Sequence, residues 1–178
     1  MIVGIYSPVP QSGKSTVSKL FVEAGFERLS FAEPVKQSLE PVLTGLQIPD
    51  YKEYLYGSMK DEIIPVLGVT GGVLMSTYAT NFMRNTIHPD TWLNILLNKV
   101  EPGKDYVVDD LRFPNEFAIF DITIKLYRHS RILKGHSREK SSEGQLDNLD
   151  FSYILVNDGT QDELKLRTES LIQKIKGY

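Results

Sequence analysis

The sequence predicts an α/β fold in which helices flank a mainly parallel β-sheet, and three observations carry this prediction. Apolar runs of strand length alternate with helical patterns along most of the chain, as in parallel sheets covered by helices. The first run, residues 1–6, leads through a short loop directly into a helical pattern. A later run, 106–108, ends in two aspartates, and open parallel sheets bind their ligands at the carboxyl ends of strands.

The loop after the first apolar run has the composition of a phosphate-binding loop. Residues 10–16 read PQSGKST, close to the G-x-x-x-x-G-K-[ST] pattern that cradles nucleotide phosphates. Gly13 permits close backbone approach, Lys14 can reach the β- and γ-phosphates, and the Ser15 hydroxyl can bind Mg²⁺. The predicted ATP-binding residues of this loop are Ser12, Gly13, Lys14, Ser15 and Thr16.

The helix that follows the loop is indicated by its apolar spacing. Apolar residues recur at i, i+3, i+4 and i+7 from Val17, and Gly25 ends the pattern. Its first N–H groups and the positive end of its dipole would face the phosphates. Pro8 stands where the pattern has glycine, and because proline fixes φ and lacks an N–H, the first turn must differ from the usual loop. An ordinary strand–turn–helix with a surface lysine is the structural alternative.

The chain after this first unit predicts one short strand followed by helix and loop. A strand is expected at 26–30 and a helix at 32–44, with Pro34 in its first turn and a kink at Pro41. Glycines and prolines interrupt 45–69, which predicts loop and short helix.

Two further helices are expected before the next strand. One covers about 72–84, and the other covers 89–99 with Pro89 at its first position. Trp92 shares a helical face with two apolar residues, so it either fills a core or stacks on a base.

Three more strands and a final helix complete the alternation. The strands are expected at 106–108, 122–127 and 154–156, the first from a continuous apolar run and the second from alternation. Thr160 and Glu163 have the spacing of a capping box, which predicts that a helix follows.

The aspartates that end the strand at 106–108 are the second chemical cluster. In a P-loop protein this is where a carboxylate holds Mg²⁺ beside the loop hydroxyl. Adjacent aspartates also cap ordinary turns, so Asp109 and Asp110 alone leave both interpretations open. Arg112 follows them, and a guanidinium binds phosphate through two hydrogen bonds. We therefore predict Ser15 and Asp110 as metal ligands, and Lys14, Asp110 and Arg112 as catalytic residues.

Composition narrows the function classes. The chain has 178 residues, a net charge of −3 and no cysteine. This length predicts one domain, 1–178, and the charge gives no general basic surface for nucleic acid. The lack of cysteine fits a reducing compartment, and no apolar run approaches the roughly 18 residues of a membrane span. We expect a cytoplasmic protein with small-molecule ligands and neither nucleic acid nor membrane as a partner.

One local segment is basic despite the acidic total. Residues 128–140 carry several arginines, lysines and histidines. A solvated surface loop is one interpretation. The other is a lid-like segment, about 128–145, that closes basic groups over ATP and excludes water.

Short motifs along the chain occur in an order typical of one protein family. The most specific is DDLRFPNE at 109–116, and the others lie at 12–14, 29–36, 74–84, 90–92, 136, 142–143, 157–160 and 163–164. Together they span about residues 2–171. In these motifs the chain resembles the phage-type deoxynucleoside monophosphate kinases, relatives of adenylate kinase among the P-loop kinases. Members of that family often have an acidic residue where this chain has Ser15.

The resemblance implies a three-layer P-loop NTPase fold with a small helical substrate region, about 45–100, and a lid. It also implies transfer of the γ-phosphoryl group of ATP to a deoxynucleoside 5′-monophosphate with Mg²⁺. A homodimer in the cytoplasm, that of the host if the protein is phage-encoded, is the expected setting. Asn157 and Gly159 would then contribute to the ATP site. The substrate-binding residues suggested are Phe31, Lys36, Arg84, Trp92, Asp110, Arg112 and Glu116.

Two other functions remain open from the sequence. A dephospho-coenzyme A kinase, or another small-metabolite kinase, would share the loop but lack the signature at 110–116. A non-catalytic ATP-binding switch is the third interpretation, and Pro8 is the residue that favours it.

Overall fold

The structure is a computed structural model that describes residues 1–128 and 144–177. In chain order its strands are β1 (Ile2–Tyr6), β2 (Glu27–Leu29), β3 (Ile63–Ile64), β4 (Val69–Thr70), β5 (Tyr106–Val108), β6 (Ile122–Tyr127) and β7 (Tyr153–Val156). The α-helices are α1 (Lys14–Glu23), α2 (Ala32–Gly45), α3 (Tyr51–Leu55), α4 (Gly71–Ser76), α5 (Thr91–Leu97), α6 (Pro114–Phe117) and α7 (Gln161–Lys176). A 3₁₀-helix covers Ser58–Asp61, and a π-helix covers Thr77–Ile87.

Five strands form one sheet in the order β2-β5-β1-β6-β7. Every neighbouring pair in it is parallel. All five carboxyl ends therefore lie along the same edge, with β1 and its loop at the centre. The predicted α/β class with a mainly parallel sheet is confirmed.

The main core lies between this sheet and the helices α1 and α7. Apolar side chains of β1, β5, β6 and β7 meet Val17 and Phe21 of α1 and Leu164 and Ile172 of α7. A second, smaller cluster surrounds Tyr6, where Leu111 and Leu146 are buried beside it. The core thus fixes both the strand that precedes the loop and the helix that follows it.

The chain divides into two compact units. The sheet unit consists of Met1–Ser30 and Val100–Tyr178, and the helical unit consists of Phe31–Lys99. Inside the helical unit, α2 packs against α3, α4 and α5. This packing joins α2 to the helical unit, which begins at Phe31.

Most expected elements are confirmed, including α1, α2, the strands of the large sheet and the capping box of α7. In that box, Glu163 N–H donates to Thr160 Oγ1 (3.2 Å) and Thr160 N–H donates to Glu163 Oε2 (2.8 Å). Pro41 lies inside α2 as expected. The antiparallel hairpin of β3 and β4 was not predicted, because strands of two residues are too short to show alternation.

The helix expected at 72–84 is two successive elements, α4 and the π-helix. His88 N–H donates to Met83 O (2.9 Å), five residues earlier, as the wider π-helical turn requires. Thr86 Oγ1 also donates to a backbone carbonyl five residues earlier, that of Asn81 (3.0 Å). π-Helices are rare, and the short π-bulges in which they mostly occur are frequent at functional sites.

The next helix begins later than predicted. The N-cap of α5 is Asp90 and its first residue is Thr91, so the prediction of Pro89 at the first helical position is wrong. The carbonyl of His88 accepts hydrogen bonds from Thr91 N–H (3.3 Å) and Thr91 Oγ1 (2.9 Å). These bonds close a turn over 88–91 and delay the helix by two residues.

In the part of the chain that the structure describes, no helix combines the length and the apolar character needed to cross a membrane.

Candidate active site

The loop between β1 and α1 is held in an unusual backbone conformation. Gln11 has φ +53° and Gly13, the N-cap of α1, has φ +104°. No side chain among the described residues caps α1, and no acidic residue lies in its first turn. The first N–H groups of this helix are therefore available to an anion.

Glycine is required at position 13 for two reasons. The positive φ strains any residue with a Cβ atom. A Cβ atom there would also lie 2.8 Å from Asn157 Nδ2 and 3.0 Å from Leu164 Cδ2. The glycine that the sequence motif contains is thus required by the packing of the loop against the end of β7 and the start of α7.

Asn157 follows β7 and contacts the loop directly. Its Nδ2 donates a hydrogen bond to the Ser12 carbonyl oxygen (2.7 Å), while its own N–H donates to Tyr127 O (2.8 Å). The side chain is 7% exposed, and Ser12 is 1% exposed. The residue predicted for the ATP site therefore lies against the loop.

The two adjacent aspartates at the end of β5 have different partners. Asp109 is buried, and its Oδ1 accepts hydrogen bonds from Arg28 Nη2 (2.8 Å) and Arg28 Nε (3.2 Å). Asp110 Oδ2 accepts one from Ser30 Oγ (2.7 Å). The sequence analysis did not predict Arg28 and Ser30 as site residues. The two are separated by one residue along β2 and its end, so they face the same side of the strand that pairs with β5.

Lys14 lies among the charged groups predicted with it. Burial, and then the neighbouring Arg112 guanidinium, lower the pKa of Lys14 below its usual 10.5, while the carboxylates of Asp109 and Asp110 oppose that shift. The structure thus brings Lys14 into electrostatic contact with Arg112 and both aspartates. Two cations near an uncapped helix N-terminus form a site suited to an anionic ligand.

Glu116 organises the segment that carries Arg112. Glu116 is 3% exposed, and its Oε2 accepts hydrogen bonds from the backbone N–H groups of Arg112 (2.9 Å) and Phe113 (3.0 Å). The Arg112 side chain is exposed. Glu116, suggested above as a substrate-binding residue, here fixes the backbone from which Arg112 projects.

Gly159 lies at the turn before α7 and is exposed. A Cβ atom at this position would collide with the Glu163 carboxylate. That carboxylate belongs to the capping box of α7. The contacts of Gly159 in the structure are thus those of a turn residue.

The remaining predicted substrate residues all lie in the helical unit. Phe31 is buried at the start of α2, and Lys36 Nζ lies 4.7 Å from the centroid of the Tyr56 ring. Arg84 is buried within the π-helix. Trp92 is also buried, and its Nε1 donates to Ala79 O (3.0 Å), which favours the core interpretation of this residue.

The lid-like segment falls largely outside the described residues. Residues 129–143, which include the family matches at 136 and 142–143, belong to that part of the chain. Arg128 is described, and its Nη1 donates to Gln11 O (3.4 Å) in the loop.

The residues present fit a nucleotide with Mg²⁺. Among the described residues no cluster of three or more His, Cys, Asp or Glu side chains forms a metal cage. Mg²⁺ bound with a nucleotide needs only one or two protein oxygens, since phosphates and water complete its shell. Ser15, exposed at the start of α1, and Asp110 supply such oxygens.

The Ser12 hydroxyl is buried in the loop and has no hydrogen-bond partner among the described residues.

The fold and this loop define the class as an α/β protein whose central parallel strand leads through a glycine-containing loop into a helix. No family model matches the chain, and no curated protein matches its sequence. Solved structures do match. TT1252 from Thermus thermophilus aligns with a TM-score of 0.55 and 18% identity, covering 98% of this chain and 97% of that one. Dephospho-CoA kinase from Campylobacter jejuni aligns with a TM-score of 0.55 and 18% identity, covering 98% and 96%. The fold is therefore similar to that of a known kinase.

Proposed function

We propose that this chain is an ATP-dependent kinase that phosphorylates a small metabolite. The observation that carries the proposal is the loop at the carboxyl edge of the sheet, where α1 begins at Lys14 without a side-chain cap among the described residues and Arg112, Asp109 and Asp110 act electrostatically on that lysine. The likeness to a dephospho-CoA kinase over nearly the whole of both chains supports the same class.

The residues divide the work of phosphoryl transfer between them. The uncapped N–H groups of α1 and the Lys14 ammonium bind the phosphates of ATP and neutralise charge that develops during transfer. Arg112 holds the transferring phosphoryl group, and Glu116 keeps the Arg112 backbone in place. Ser15 and Asp110 would hold Mg²⁺, which neutralises phosphate charge when bound.

The acceptor has two candidates, and each rests on its own observation. The likeness to the dephospho-CoA kinase favours dephospho-coenzyme A or a related metabolite. The DDLRFPNE segment at 109–116 favours a deoxynucleoside 5′-monophosphate, because it resembles the signature of those kinases. We rank the class of small-metabolite kinases first, and a kinase for either acceptor belongs to that class.

A single assay separates these candidates. The pure protein is incubated with ATP, Mg²⁺ and one acceptor at a time, either dephospho-coenzyme A or each of the four deoxynucleoside monophosphates. ADP release is measured, and the product is identified by mass. The Lys14→Ala variant controls for contaminating kinases. ATP binding without acceptor-dependent ADP would instead indicate the non-catalytic switch and overturn the proposal.

A further inference from the structure

We propose that Asn157 is a positioning residue that sets the orientation of a phosphate-binding peptide in the loop. The inference rests on the proposed function, because it concerns how the same loop binds ATP. It assigns Asn157 an action through the loop rather than a direct contact with the adenine base.

The hydrogen bond between Asn157 and Ser12 fixes one peptide plane. Nδ2 donates to the Ser12 carbonyl oxygen at 2.7 Å, and both residues are almost fully buried. The described chain has no cis peptide bonds, and in a trans peptide the carbonyl and the following N–H point in opposite directions. Holding the Ser12 carbonyl toward Asn157 therefore turns the Gly13 N–H away from Asn157. That donor then joins the uncapped N–H groups of α1 in binding phosphate.

The anchor is itself rigid. Asn157 N–H donates to Tyr127 O at 2.8 Å, which continues the pairing of β6 and β7 beyond the last strand residues. Leu164 of α7 lies against the same glycine and belongs to the main core. The amide is thus held by the sheet and aimed at a loop with a positive φ at two positions, Gln11 and Gly13, of which Gln11 is a residue that rarely adopts it.

The anchor also compensates for Pro8. This residue has no N–H and a fixed φ, so the first part of the loop has fewer means of organising itself. Val9 N–H donates a long bond to Ser7 Oγ (3.4 Å). The Ser12 carbonyl, in contrast, accepts a short bond from Asn157 Nδ2 (2.7 Å), and the Gln11 carbonyl accepts a long one from Arg128 Nη1 (3.4 Å). Side chains from the ends of β6 and β7 therefore hold this loop.

The test compares ATP with inorganic tripolyphosphate as ligands. In Asn157→Ser the side chain is too short to reach the Ser12 carbonyl and adds no charge. In Asn157→Asp an acceptor replaces the donor. We expect each variant to weaken both ligands by the same factor, roughly 10-fold, since a buried carbonyl loses its partner. We also expect faster hydrogen exchange in peptides covering 8–16. A direct contact with adenine would weaken ATP alone.

Thr168→Val is the matched control. It removes another buried side-chain hydrogen bond of the sheet unit, from Thr168 Oγ1 to Leu164 O (2.7 Å), without touching the loop. It should leave both affinities unchanged. Wild-type affinity for both ligands in a folded Asn157→Ser protein, or a loss confined to ATP, would overturn the positioning role alone. Failure of the wild-type protein to bind either ligand would overturn the proposed function instead.

Discussion

At the scale of single residues, the site depends on charges that the fold keeps close together. Lys14 and Arg112 repel each other, and the two aspartates reduce that repulsion. An anionic ligand between the two cations would relieve it further. The arrangement therefore favours a bound polyphosphate over the empty site.

Lys14→Ala should abolish phosphoryl transfer without unfolding the protein. The side chain belongs to the first residue of α1 and has no place in the apolar core. We expect kcat to fall by a factor of about 10² or more, as for the loss of a charge stabiliser in a preorganised site. Steady-state kinetics and circular dichroism measure the two properties. Near-normal turnover in a folded variant would contradict the assignment of the loop.

The lowered pKa of Lys14 predicts the pH dependence of ATP binding. The protonated amine binds phosphate, so affinity should fall as the pH rises through a midpoint below the usual 10.5. Asp109→Asn removes a carboxylate that raises this pKa, and its midpoint should lie at lower pH than that of the wild type. Asp150→Asn, at an exposed position, is the control. Titrations of ATP affinity between neutral and alkaline pH would compare the midpoints of the wild type and the two variants. An unchanged midpoint in Asp109→Asn would contradict the prediction.

Asp110→Asn should act chiefly through the metal. The amide keeps the shape of the carboxylate and can still accept from Ser30 Oγ, but it lacks the charge that anchors Mg²⁺. The Mg²⁺ concentration at half-maximal activity should therefore rise. Asp109→Asn should change this concentration less, because Asp109 is paired with Arg28. An equal rise in both variants would mean that the assignment of the metal carboxylate is wrong.

At the scale of elements, the loop and α1 depend on the end of β7. Gly13→Ala should disturb this contact, since the added methyl group meets Asn157 and Leu164 at a backbone angle that favours glycine. We expect lower stability, by about 1 to 3 kcal/mol, together with weaker ATP binding. Gly103→Ala also has a positive φ, but a Cβ atom there meets nothing within 4 Å. Thermal unfolding and ATP titration of both variants would separate backbone strain from the clash at the loop.

The elements that the sequence predicts correctly are those with local sequence signals. β1, α1, β5 and α7 were predictable because apolar spacing, a glycine stop and a capping box are local signals. The pairing of Arg28 with Asp109 depends on β2 and β5 being neighbours, although 81 positions separate the two residues. The contact from Asn157 to Ser12 likewise spans 145 positions. No local pattern encodes such contacts, and the π-helix and the short hairpin also lack a distinctive periodicity.

At the scale of the whole molecule, the chain divides the predicted residues between two units. The sheet unit holds the predicted phosphate-binding loop, Asp110 and Arg112, whereas the helical unit holds Phe31, Lys36, Arg84 and Trp92. Because the residues of the helical unit are predicted to bind only the acceptor, whereas Asp110 and Arg112 are also predicted to be catalytic, we expect changes in the helical unit to impair acceptor binding alone. The buried Arg84 in its π-helix is the residue with which to test this, because burying a guanidinium is costly without a structural or functional return.

Arg84→Ala should raise the KM for the acceptor while leaving the dissociation constant for ATP unchanged. The reason is that the family resemblance assigns Arg84 to the acceptor and not to ATP. Arg84→Lys keeps the charge and tests whether the guanidinium geometry matters. Trp92→Phe, which removes the bond to Ala79 O, reports on packing of the same unit without removing a charge. Kinetics with ATP and acceptor varied independently decide the matter: if Arg84→Ala keeps the wild-type acceptor KM, or shows the same change as Trp92→Phe, Arg84 is a packing residue and acceptor recognition resides elsewhere.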